Sequence, residues 1–452
     1  MSCNEDFRLH FYSPPNVLHC REFEVFDEYK KALYLPPYMK GKGRIEEMSE
    51  DGYGLLGKKP IYVPYTVVGD LVEVRKTRRR FGRHLATDFE LLEESRLRQR
   101  PRCMHFGKCA CLWQHIKYKE QLKIKQKTFE KITGINAEIK GSPQVWNFRN
   151  ASNFIITTQG IGFKEFGKWW SIVDVKECPI FSNRTREYLS ALKAFMREEK
   201  IEPWDVKAKR GILHYLSIRE GKFTGEVMVN LIAHSEKVPE SFEDYFSFAD
   251  SIYWSFKTDE RDDPRGEPRL VKGKEYIQEK IGNVVYLIHP NSFFQTNSYA
   301  LPALLKAVED FTDGEKVFDL YAGVGTFGVY LAKRGFDVEG VEINPFAVEM
   351  ANKNAELNDV DALFRVGNAE EVKLESYDTI IVDPPRKGLK EGAKLLAKSR
   401  AERIVYVSCN PRAFLKDFEA LSERYKIEKA VLIDMFPHTP HVEAVIELVK
   451  KS

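Results

Sequence analysis

The strongest constraint on this chain lies in its last third, where short apolar runs alternate with helical stretches. KVFDLYAG, FDVEGVEIN, DTIIVDPP, RIVYVSC and IEKAVLIDMF are strand-sized, and most are apolar at consecutive positions instead of every second one. A strand that is apolar on both faces must be covered on both, and strands joined by helices achieve this in a mainly parallel sheet. The expected fold class is therefore α/β, with a doubly wound, Rossmann-like domain over residues 276–452. Open sheets of this kind bind ligands beyond the carboxyl ends of their strands, so residues at those ends are the candidates for chemistry.

The first such end carries VFDLYAGVGTFGVYLAKRG, a glycine-rich turn between a strand and a helix. Gly323 and Gly325 permit a ligand to approach the backbone as no side chain would allow. Glu342 ends the next strand, where a carboxylate can accept hydrogen bonds from ribose hydroxyls. The spacing GVGTFG also satisfies the dinucleotide pattern, so these glycines leave a dehydrogenase open. DPPR at Asp383–Arg386, directly after a strand, points instead to a methyltransferase, and an arginine after the two prolines points away from amino-group chemistry.

Three further residues fit one reaction. Cys409 ends the strand RIVYVS and opens the turn CNPR, Asp383 ends the neighbouring apolar strand, and Glu443 precedes the last one in FPHTPHVEAVIEL. Carbon 5 of uracil is electron-poor. Addition of a thiolate to carbon 6 makes an enolate whose carbon 5 attacks a sulfonium methyl, after which a base must remove the carbon 5 proton. Cys409 is the candidate nucleophile, Glu443 the candidate base, and Asp383 a hydrogen-bond acceptor for base or cofactor. In FFQTNSYA, Gln295 can hydrogen-bond the cofactor or base, and Asn297 can fix the loop or cap a helix. His438 and His441 are expected to shape their loop, not to bind a ligand.

Upstream, short alternating strands punctuated by glycine run from Gly41 to about Glu94, about five of them, as in a small OB-like barrel over residues 38–97. RKTRRRFGR and RLRQRPR concentrate positive charge there, a candidate phosphate-facing edge, although the net charge of the chain is only +3. Residues 98–275 read as a mixed α+β central domain that opens with three close cysteines and the helix IKYKEQLKIKQKTFEKITG, stopped by Gly134. The segment KTDERDDPRGEPRLVKGK reads as an exposed connection. Seven cysteines, an odd number, in a long chain without a secretory signal argue against a disulfide framework, so the close group reads as a metal or iron–sulfur site. Residues 1–37 have no assignable period, and their Cys3, His10, His19 and Cys20 match no standard zinc spacing. No apolar run reaches the ~20 residues that span a bilayer, and a cytoplasmic location is expected.

HPNSFFQTN, DLYAGVGTFG, VDPPRKG, VYVSCNP and PHTPHVE, in this order, resemble the successive motifs of RNA (uracil-C5)-methyltransferases, and CMHFGKCACLWQHIKY extends the similarity over roughly residues 40–452. The resemblance implies a barrel of the type called TRAM, a central domain with a [4Fe–4S] cluster, and an S-adenosyl-L-methionine-dependent methyltransferase domain. Carried over by motif, Cys409 is the nucleophile and Glu443 the base; Gln295, Tyr321, Thr326, Glu342, Asn368 and Asp383 contact S-adenosyl-L-methionine. The cluster ligands would be Cys103, Cys109, Cys111 and the distant Cys178, or the same four thiolates would hold zinc. Relatives separate the second and third cysteines by two residues, whereas here only Ala110 intervenes. Thr326 stands where relatives often have Asn, and Asn368 where an acidic residue or Asn is usual. The substrate implied is structured RNA, ribosomal before transfer RNA, with the target uracil flipped from a loop or bulge and no obligate protein partner.

Overall fold

The computed structural model describes residues 39–451 apart from 81, 206, 207, 260 and 375. The candidate zinc residues Cys3, His10, His19 and Cys20 lie outside the described residues. The expected α/β sheet is present. It has eight strands, in the order Ala362–Val366, Asp337–Glu342, Lys316–Asp319, Thr379–Val382, Arg403–Ser408, Glu443–Lys450, Tyr425–Ile433 and Glu138–Lys140. The first five are parallel, and Glu443–Lys450 runs antiparallel between Arg403–Ser408 and Tyr425–Ile433. Every residue of Thr379–Val382 is buried, as consecutive apolar positions require of a strand covered on both faces. Chain order reverses at Lys316–Asp319, which has later strands on both sides, and this places a crevice at the carboxyl ends of the central strands.

The eighth strand, Glu138–Lys140, arrives from far upstream and pairs in parallel with Tyr425–Ile433. It follows the helix Tyr118–Thr133, which stops at Gly134 in a left-handed conformation (φ 72°), as a helix-terminating glycine does. The buried face of that helix consists of Gln121, Lys125 and Phe129, two polar residues among them.

The N-terminal sheet has six strands, in the order Gly41–Arg44, Leu71–Arg80, Arg83–Glu93, Ile61–Val63, Gly54–Leu56 and Glu47–Met48. The two end strands are separated in sequence only by Ile45 and Glu46, so the sheet must curl until its edges approach, around a core that includes Val63, Val67, Val72 and Val74. Arg75, Lys76, Arg78 and Arg79 are exposed on its long hairpin.

A seven-stranded, largely antiparallel sheet covered by the helix Thr185–Glu198 lies between. The helix buries Thr185, Tyr188, Leu189, Leu192 and Phe195, one apolar stripe at helical spacing. One sequence expectation fails here. EPRLVKG, read as part of an exposed connection, forms the edge strand Glu267–Gly273 against Ser251–Phe256. Most of that strand is exposed, so its sequence lacks the buried alternation that would have marked it.

Candidate active site

Three strands deliver the candidate reactive side chains to one edge of the sheet. Asp383 follows Thr379–Val382 and Cys409 follows Arg403–Ser408, and these two strands are neighbours in register. Glu443 opens the antiparallel strand on the other side, where Ala444 faces Ser408. Asn410 accepts hydrogen bonds from the Arg412 and Ala413 N–H groups, capping the helix Pro411–Leu421 and fixing the turn that presents Cys409.

The electrostatics of the group follow from this convergence. Burial, then the carboxylates of Glu443 and Asp383, push the Cys409 thiol up to about 12, while Arg386 lowers it through charge and a hydrogen bond. Glu443 is raised well above its ordinary value by burial and by Asp383, with Arg386 opposing. Burial lifts Asp383 to about 7 against the hydrogen bond donated by the Gln295 amide (3.2 Å). Arg386 Nη2 stands 3.4 Å from His441 Nδ1, and burial lowers that imidazole to about 3, so it is neutral at physiological pH. A thiol, two carboxyl groups and a guanidinium thus share one pocket wall. Sequence reasoning took Arg386 only as a marker of class; its hydrogen bond to the thiol emerges in three dimensions.

The cofactor candidates line the adjoining crevice. Gly323 (φ 54°) and Gly325 (φ 78°) hold left-handed conformations, and a Cβ on Gly325 would also meet Val329 at 3.0 Å, so both glycines are demanded by the turn. The Glu342 carboxylate accepts from Gly323 N (3.2 Å) and Asn344 N (3.0 Å). Tyr321 is half-buried, its hydroxyl raised to about 12 by burial. Thr326 is buried at the start of the helix Thr326–Ala332, with its carbonyl accepting from Tyr286 OH (2.8 Å). Asn368 lies on the loop after the Ala362–Val366 strand, its side chain bonded to Glu371 and to Glu370 N. Asn297 serves the scaffold, donating to Ser142 Oγ and the Met435 carbonyl and accepting from Ala300 N.

Two residues of this crevice were not anticipated. Asp319, the acidic end of an apolar strand, is fully buried and raised to about 7 by that burial. One of its oxygens accepts from Gly328 N (3.0 Å), and the other has no hydrogen-bond partner among the described residues. Ile343 beside Glu342 is 70% exposed, an apolar side chain held at the rim. Open glycine backbone, a carboxylate on the next strand, an unsatisfied buried oxygen and an apolar rim fit a nucleoside-bearing ligand.

The cysteines form a second group. Cys103, Cys109, Cys111 and Cys178 carry no disulfide. Burial, then charge from the neighbouring cysteines, raises Cys109 to about 12 and Cys111 further; burial raises Cys178 to about 11. The two chain segments are joined where Lys176 N donates to His105 Nε2 (3.0 Å). As they stand, the described residues include no group of three or more His, Cys, Asp or Glu disposed to hold a metal.

Fold and crevice define an S-adenosyl-L-methionine-dependent methyltransferase. Residues 171–451 match the family model for tRNA (uracil-5-)-methyltransferase, and residues 41–97 that for the TRAM domain of tRNA (uracil(54)-C(5))-methyltransferase. The chain belongs to the RNA uracil-C5 methyltransferase family. It is 57% identical over 419 residues to the 23S rRNA (uracil(747)-C(5))-methyltransferase of Pyrococcus horikoshii, covering 91% of this chain and 100% of that one. The tRNA (uracil(54)-C(5))-methyltransferase of the same organism is 47% identical over 410 residues, covering 90% and 100%. The crystal structure of the Pyrococcus abyssi tRNA (uracil-54, C5)-methyltransferase in complex with S-adenosyl-L-homocysteine superposes with a TM-score of 0.83 at 45% identity, covering 90% of this chain and 100% of that one.

Proposed function

We propose that this enzyme methylates carbon 5 of the 23S rRNA uridine equivalent to position 747, with Cys409 as nucleophile and Glu443 as base. The convergence of Cys409, Asp383, Arg386 and Glu443 on one strand edge carries the chemistry. The choice of RNA rests on identity, 57% to three 23S rRNA enzymes against 47–48% to three tRNA enzymes.

Cys409 adds its sulfur to carbon 6 of the flipped uracil, and Arg386 favours the anionic thiolate that attacks. Gln295 and Asp383, joined by their hydrogen bond, orient the ring or the methyl donor. S-adenosyl-L-methionine supplies an electrophilic methyl group, and Tyr321, Gly323, Gly325, Thr326, Glu342, Asn368 and Asp383 are the residues that would hold it. Glu443 then removes the carbon 5 proton. Its electrons restore the ring double bond, and the carbon–sulfur pair returns to Cys409. Burial of Glu443 strengthens it as a base, because the desolvated carboxylate binds a proton more tightly.

Phosphates of the RNA lie along the exposed Arg75, Lys76, Arg78 and Arg79 of the barrel hairpin. That barrel is tied to the active-site edge by Glu50, which pairs at 2.7 Å with Arg412, shortly after Cys409 in the chain. Cys103, Cys109, Cys111 and Cys178 carry a [4Fe–4S] cluster with a structural role, since methyl transfer consumes no electrons. Burial first, and then charge from the neighbouring cysteines, opposes ionisation of these thiols, so a bound cation would have to bring about both their deprotonation and a rearrangement from their present disposition. The proposed substrate, ribosomal RNA, implies a cytoplasmic enzyme; separately, among the described residues no helix is long and apolar enough to cross a membrane.

The test is to map 5-methyluridine in 23S rRNA and tRNA from cells lacking the gene, complemented with the wild type or Cys409→Ala. The wild type is expected to restore one rRNA modification and the variant none. Loss confined to tRNA refutes the choice of substrate, and full activity of Cys409→Ala refutes the mechanism.

A further inference from the structure

Glu443 follows a loop, Asp434–Val442, that is held from outside its own domain. The clamp is the helix Tyr118–Thr133, some three hundred positions upstream in the sequence. Lys125 and Asp434 are both fully buried and paired at 2.5 Å, and the Lys125 ammonium also donates to the Phe436 carbonyl (3.0 Å). Tyr118 OH donates to the other oxygen of Asp434 (2.9 Å). Gln121 Oε1 accepts from His438 N (2.8 Å), and its amide lies 3.1 Å from His438 Nδ1. The His438 carbonyl accepts from Trp113 N (3.0 Å), its Nε2 meets the Val145 carbonyl (3.0 Å), and Trp146 stacks on the ring at 4.0 Å.

This investment exceeds what connecting two adjacent strands requires. Ile433 and Glu443 already pair in register across the sheet, and a tight connection would satisfy them. The chain instead buries a charge pair, whose desolvation rarely favours stability over an apolar pair. It also holds His438 at φ 66°, a conformation that costs energy in a residue with a Cβ. Pro440 packs within reach of Gly52 of the barrel, so the far side of the loop is fixed as well. What such a clamp secures is the loop's exit angle, and hence the direction in which Glu443 leaves it.

We infer that Lys125 and Gln121 are positioning residues for the proton-abstraction step, holding the Asp434–Val442 loop so that Glu443 reaches carbon 5 of the methylated base. The inference rests on the roles proposed for Cys409 and Glu443. It makes a separable claim, because the addition of sulfur to carbon 6 and methyl transfer precede the step that Glu443 serves. With the base displaced, the carbon 5 proton stays in place, the Cys409–carbon 6 bond cannot break, and methylated RNA remains covalently attached.

The experiment uses the full-length enzyme with Lys125→Met, which removes the ammonium that pairs with Asp434, or Gln121→Met, which removes an uncharged amide of similar size. Each is assayed with S-adenosyl-L-methionine and an RNA hairpin bearing either uridine or 5-fluorouridine at the target. Both variants are expected to form the 5-fluorouridine adduct at the wild-type rate. On the uridine substrate, kcat should fall by up to about 100-fold, as a misplacement of about 1 Å would produce, and KM should fall with it because the covalent intermediate accumulates. A methylated, denaturant-stable enzyme–RNA conjugate should then accumulate that the wild type does not show, and Lys125→Arg should restore turnover. The inference is overturned if both variants turn over normally, or if adduct formation and turnover fall in parallel with thermal stability. If the wild type itself gives no adduct with 5-fluorouridine RNA, the nucleophile assignment fails first.

Discussion

Replacing Arg386 with methionine tests the electrostatics of the site directly. The thiol of Cys409 is pushed up to about 12 by burial and by the carboxylates of Glu443 and Asp383, and the Arg386 guanidinium opposes them through charge and a hydrogen bond. A hydrogen bond to a charged group contributes about 1.5–3 kcal/mol. Arg386 is exposed, so solvent screening favours the lower end, about 1.5–2 kcal/mol. At 1.36 kcal/mol per tenfold, the thiolate fraction at fixed pH should fall about 12- to 30-fold. The sign is fixed by the chemistry. A thiol becomes an anion when it loses its proton, removing a cation disfavours the anion, and the pKa rises. The assay is the rate of Cys409 alkylation by iodoacetamide against pH, read by mass spectrometry on the peptide that contains it, so that the other cysteines do not interfere. The curve should move to higher pH in Arg386→Met and largely return in Arg386→Lys. Turnover should move in the same direction, because Arg386 also lowers the raised pKa of Glu443 and a base must be ionised to act. An unchanged alkylation curve would refute the argument.

Two further outcomes follow from the crevice and the cysteines. Glu342→Gln removes the charge that faces Gly323 N and Asn344 N and should weaken S-adenosyl-L-homocysteine binding about tenfold by calorimetry, the scale of one charge-assisted hydrogen bond, while leaving Cys409 alkylation unchanged. If the proposed cluster is present, the wild type purified without oxygen should contain iron and sulfide, and Cys178→Ser should lack them and melt at a lower temperature; a wild type that binds zinc alone would exclude the cluster.

Much of the catalytic domain was legible because its signals are local. Consecutive apolar positions imply a strand covered on both faces, and a residue that ends such a strand lies at the ligand-binding edge whatever packs around it. Cys409, Asp383 and Glu342 could therefore be placed by reading along the chain, and positive φ at Gly323 and Gly325 follows from the turn between strand and helix. Glu443 could be located before the last apolar strand, but the arrangement that gives it a chemical environment needs Asp383 and Arg386 from a different strand end.

Other features depend on partners distant in sequence, and no local period reports them. EPRLVKG joins the sheet as an edge strand without a buried face to impose alternation. Glu138–Lys140 is too short to announce itself and becomes a strand because Tyr425–Ile433 offers an open edge. Lys125, on a helix rich in lysine, looks like one more surface charge until Asp434 meets it in the interior. Sequence periodicity determined six of the eight segments that form the sheet, all but Ala362–Val366 and Glu138–Lys140, and which residues end its central strands. Tertiary structure decided which of those ends meet and what charge each residue feels, because desolvation and Coulomb interactions depend on distances that only the folded chain defines.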